Sequence, residues 1–148
     1  MSRKGLVISG KFGEIIAREK FDEKIELGEL LIAENKNSKI LMQVYDLIFG
    51  SQISQSNLEL ISGMELEEDS GLEFMDKKVR NYNLALLKNI LTLTKNGSHS
   101  CKSLPDFFSP VREVTKNDLK FLTMPKHPVF LGKLRSGSKT LDVDIFLP

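Results

Sequence analysis

Residues 27–47 read Leu27-Gly28-Glu29-Leu30-Leu31-Ile32-Ala33-Glu34, then Asn35-Lys36-Asn37-Ser38, then Lys39-Ile40-Leu41-Met42-Gln43-Val44-Tyr45-Asp46-Leu47. Two apolar runs of strand length flank four residues of turn chemistry, the signature of a β-hairpin. The same grammar extends to both sides. Upstream, Leu6-Val7-Ile8-Ser9-Gly10 and Phe12-Gly13-Glu14-Ile15-Ile16-Ala17-Arg18 are further strands. Gly10 and Gly13 fall where a curved sheet needs bulges or tight corners. Downstream, residues 128–134 and 140–147 flank Arg135-Ser136-Gly137-Ser138-Lys139, and Leu141, Val143, Ile145 and Leu147 alternate with other residues. That is a second hairpin, with Gly137 in its turn and the four alternating residues expected to line a barrel interior.

Between the hairpins the pattern changes. Residues 51–81 lose the two-residue period and include the acidic run from Glu65 to Asp69, which reads as a solvated insertion. Residues 57–61 and 72–80 are its short helix candidates. Residues 84–93 fit either a helical face or a strand; the alternation of residues 90–94 and the turn Lys95-Asn96-Gly97-Ser98 favour a long bent strand. Pro105 and Pro110 hold the following segment extended. Thr115, with Asp118 three residues on, is placed to cap a short helix. Many short strands, glycines at corners and one insertion predict a mainly β fold. The expected form is a small closed antiparallel β-barrel with a short helical insertion, spanning residues 1–148 as one domain.

Composition narrows the function. The chain has 148 residues, 41% hydrophobic and 28% charged, within the range of a soluble globular domain. No run of 18 apolar residues occurs and the N-terminus lacks the pattern of a secretory leader, so a cytoplasmic location without membrane contact is expected. Cys101 is the sole cysteine and His99 and His127 are the sole histidines, too few for a disulfide or a four-ligand zinc site. The near-balance of 21 basic and 20 acidic residues disfavours autonomous DNA binding.

No motif assigns a catalytic, cofactor-binding or metal-binding residue. Gly132-Lys133-Leu134-Arg135-Ser136-Gly137-Ser138-Lys139-Thr140 imitates a phosphate loop, but Ser138 separates the second glycine from the lysine and a strand follows where a helix is required. Gly97-Ser98-His99-Ser100-Cys101-Lys102-Ser103 fails the same comparison, because Cys101 stands in place of the glycine. Asp142 and Asp144 share one strand face and read as its wet side. Phe107 and Phe108, near Lys102 and Arg112, read either as a plug at the barrel mouth, which is favoured, or as a stacking surface for bases.

The order of these features resembles a known family. Phe12-Gly13-Glu14-Ile15-Ile16, residues 27–32 and Leu41-Met42-Gln43-Val44-Tyr45-Asp46 are similar to the opening strands of HerA-type archaeal DNA-pumping ATPases. Pro105, Pro110, Val111 and residues 129–134 resemble that family's proline-flanked segment and apolar-Gly-x-Leu strand. Residues 141–145 resemble the strand ahead of its ATPase core. The resemblance implies the N-terminal HAS-barrel, a six-stranded barrel that helps to close a hexameric ring and docks a NurA-type nuclease during DNA end processing. It implies contact with the protein's own ATPase core and with neighbouring subunits, and with DNA only indirectly. ATP and Mg would bind in that core, so the chain would be a non-catalytic fragment preceding it. No catalytic residue of the family matches a position here. A stand-alone nucleic-acid-binding barrel is the alternative, and a nucleotide-binding enzyme built on residues 132–140 ranks below it.

Overall fold

The computed structural model describes residues 2–68 and 81–148. Its strands are β1 (Gly5–Lys11), β2 (Glu14–Glu19), β3 (Leu30–Glu34), β4 (Lys39–Ser51), β5 (Asn81–Thr94), β6 (Gly97–Ser100), β7 (Pro110–Glu113), β8 (Val129–Ser136) and β9 (Lys139–Leu147). One helix, α1 (Gln55–Glu68), lies between β4 and β5. The ladder β2-β1-β7-β3-β4-β5 returns on itself through antiparallel pairing of β2 with β5, from Ile15 opposite Leu87 to Arg18 opposite Leu84. The result is a closed antiparallel barrel, as the strand grammar predicts, and it has six strands. Strand β6 hangs from the far end of β5, pairing Leu91 to Thr94 with Ser100 to Gly97.

Closure at six strands leaves a narrow interior that side chains must fill. Val7, Ile15, Leu31, Ile40, Met42, Val44, Leu87 and Val111 form its core with Ala17, Ala33 and Ala85. Ala17 lies directly opposite Ala85, so the seam joining β2 to β5 is made by two small side chains. Where β1 bends into β2 the ladder slips one residue between Val7 and Ser9, and Gly10 follows at φ +121°. A side chain there would strike the carbonyl of Glu14 and the Cα of Ile15.

Strand β3 explains its own sequence. Leu31 and Ala33 face the barrel core, while Leu30 and Ile32 join a second cluster with Leu41, Leu93, Val114 and Leu119. The run does not alternate because both faces are covered. What covers the outer face is the segment around Val114 to Phe121 together with Leu134, Leu141 and Val143.

This corrects one expectation. Strands β8 and β9 form the predicted hairpin, with Gly137 in its turn at φ +59°, but they make a separate two-stranded sheet. Leu141, Val143 and Ile145 are half-buried and Leu147 is exposed, so none lines the barrel. The sixth barrel strand is the short β7 instead. Two local expectations also change. The helix of the insertion begins at Gln55 and runs to Glu68, longer than the 57–61 candidate, whereas the 72–80 candidate and Asp69 of the acidic run lie outside the described residues. Residues 116–121 make consecutive turns rather than a capped helix. The bent strand preferred for residues 84–93 is β5.

Candidate functional site

One end of the barrel gathers the turn after β3, the turn after β5 and the turns at 116–121. They enclose an open groove of about 860 Å³ lined by Glu34, Asn35, Lys36, Lys39, Lys95, Asn96, Asn117, Lys120 and Phe121, among others. The third wall is fastened by Asp118, whose side chain is 1% exposed. It accepts two bonds from the Arg112 guanidinium, at 2.7 and 3.0 Å, and two from the amide and hydroxyl of Thr115, both at 2.8 Å. Burial pushes the Asp118 carboxyl up, but the bonds from Arg112 and Thr115 outweigh it and hold it well below the usual carboxylate range. Arg112 also binds Glu34, at 2.9 Å, and Lys39 reaches Asp118 at 3.3 Å. Both carboxylates of the groove are therefore already engaged. Lys36, Lys95 and Lys120 are exposed, with no carboxylate partner among the described residues.

The 104–109 loop abuts the same rim: the amide of Asp106 donates to Asn35 Oδ1 at 3.2 Å. Phe107 and Phe108 follow, 65% and 61% exposed, with ring centroids 4.3 Å apart. They do not plug the barrel, which corrects the favoured expectation. Arg112 is no neighbour for a base either, since its guanidinium is spent on Asp118 and Glu34. Lys102, just ahead of this loop, is exposed.

The other residues singled out in the sequence are structural. Cys101 is buried, with its thiol 3.4 Å from the carbonyl of Ser103, while His99 is exposed on β6. Among the described residues no group of three or more His, Cys, Asp or Glu side chains is arranged to hold a metal ion. Residues 132–140 are hairpin rather than phosphate loop, and a carboxylate takes the amide that such a loop would aim at phosphate: Ser138 donates its N–H and hydroxyl to Glu26, at 2.9 and 2.6 Å. Those two bonds hold the Glu26 carboxyl below its ordinary value. Asp142 and Asp144 share Lys133, at 2.7 and 3.2 Å, on the wet face.

The hairpin is clasped to the barrel at its turn end. Ser136 Oγ accepts the amide of Leu30 at 2.8 Å, beside the buried pair of Lys4 with Glu29 at 2.6 Å. Its opposite end is apolar and open. Val129 faces Leu147 and Phe130 faces Phe146 across the ladder. Val129, Phe130 and Leu131 are each more than half exposed.

The chain matches no known family model, and a search among curated proteins gives no significant match.

Proposed function

We infer that this chain is a non-catalytic assembly and partner-docking barrel of a HerA-like hexameric DNA translocase. The observation that carries the reading is a closed six-stranded barrel bearing an outer hairpin whose open end is apolar and unpartnered among the described residues. A cluster of this kind is costly to leave in water and suits a contact with another protein surface. Two segments that resemble the family, residues 129–134 and 141–145, form this hairpin and not the barrel wall, so they belong to the docking side of the reading. The ring's neighbouring copy is the expected occupant, with the ATPase core and a NurA-type nuclease as further partners.

Sedimentation velocity from low to high micromolar concentration tests this. Reversible self-association that disappears in a Phe130→Asp variant with an unchanged melting temperature is expected. A chain that stays monomeric throughout, with or without the substitution, contradicts the reading.

A further inference from the structure

We propose that the barrel mouth binds single-stranded nucleic acid, with phosphates on Lys36, Lys95 and Lys120 and bases on the Phe107–Phe108 pair. The proposal does not rest on the docking reading, which uses the open end of the β8–β9 hairpin and no residue of the groove.

The first support is charge. Four lysines line the groove against two carboxylates, and both carboxylates are held by Arg112. A chain that is nearly neutral in sum therefore presents a local cationic surface. Asn35 already uses its Oδ1 on Asp106, so its amide nitrogen remains to donate toward the groove.

The second support is independent. The loop joined to this rim accepts two energetic costs side by side. Phe108 has φ +60°, a region that bulky residues avoid, and its ring is nevertheless exposed. Next to it, Ser109 Oγ is the one buried side-chain oxygen or nitrogen without a partner among the described residues. Strain that yields no burial is expected where function selects the shape. Two exposed rings beside a cationic groove match the combination used on single strands, whose unpaired bases offer faces that a duplex keeps stacked internally.

Fluorescence anisotropy with a labelled oligothymidylate of about twelve nucleotides reads the site. Three phosphate contacts predict a slope of about −2 for log K against log salt, so affinity near 10 µM in order of magnitude at about 20 mM salt falls roughly fifty-fold by 150 mM. The K36E/K95E/K120E variant should bind at least tenfold more weakly, and Lys133→Glu, on the outer hairpin, should bind as wild type. Phe108→Gly should keep or raise the melting temperature, because glycine is at ease at positive φ, while weakening binding about tenfold. Three results overturn the proposal: no binding at low salt, binding that survives the triple reversal, or equal displacement by polyglutamate at matched charge.

Discussion

Asp118 concentrates more hydrogen bonds than any other carboxylate described here, and its removal would leave the buried Arg112 only the half-exposed Glu34 as a carboxylate partner. Asp118→Ala should cost about 3–5 kcal/mol in urea or thermal unfolding, the loss typical of breaking a buried pair from one side. The pH dependence has a definite sign. The folded-state carboxyl lies below its unfolded value near 3.9, so its contribution is complete above that pH and fades as pH falls below it. Melts at pH 7 and pH 3 should therefore differ less for Asp118→Asn than for wild type; an equal difference would show that the pair is not the acid-sensitive element. In the sequence, the three-residue spacing of Thr115 and Asp118 announces their contact but misleads about its product. Asp118 turns inward to Arg112 and the chain continues as turns. Phe107 and Phe108 were legible as apolar and not as exposed, because backbone φ, which sets where a ring points, leaves no mark in residue type. Lys36, Lys95 and Lys120 were invisible as a group, since each reads as an ordinary member of a separate turn.

Among the elements, β3 shows what a sequence states when read for burial as well as period. Leu30-Leu31-Ile32-Ala33 lacks polar alternation, and the structure supplies a cover on each face. The outer cover includes β8 and β9, which the alternation of residues 141–147 had placed in the barrel wall. Their own half-polar alternation fits a sheet with one wet side rather than a barrel wall. Consequently Val143→Asp should loosen the hairpin and leave the barrel folded. Limited proteolysis is expected to cut near residues 129–147 while amide protection in β2 and β5 persists; global unfolding would return Val143 to the central core. Asp142→Asn, on the exposed face, should leave the melting temperature unchanged. By contrast Gly10→Val should destabilise the barrel by more than 1 kcal/mol, roughly, since it combines positive φ with collision against β2. Strand β5 was legible because its second half alternates and ends on a turn; a bulge that skips Ile90, between Leu91 opposite Leu41 and Asn89 opposite Met42, breaks its period from the rest.

For the molecule as a whole, closure depends on long-range pairings, β2 with β5 and β7 with β1 and β3, that no local pattern announces. Counting strands and glycines predicted a closed barrel, yet it could not say which six strands close it, because β7 is only four residues long and the longer β8 and β9 looked the better candidates. The same barrel offers two distinct surfaces, a cationic mouth and an apolar hairpin end, and lacks the Gly-Lys junction of a phosphate loop. A purified sample should neither bind nor turn over ATP, and turnover abolished by Lys139→Ala would contradict that. The docking claim is tested most directly by hydrogen–deuterium exchange at low and high protein concentration. Concentration-dependent protection is predicted at residues 129–131 and 145–147, with residues 35–38 and 95–97 unchanged. Exchange independent of concentration at the hairpin end would contradict the claim.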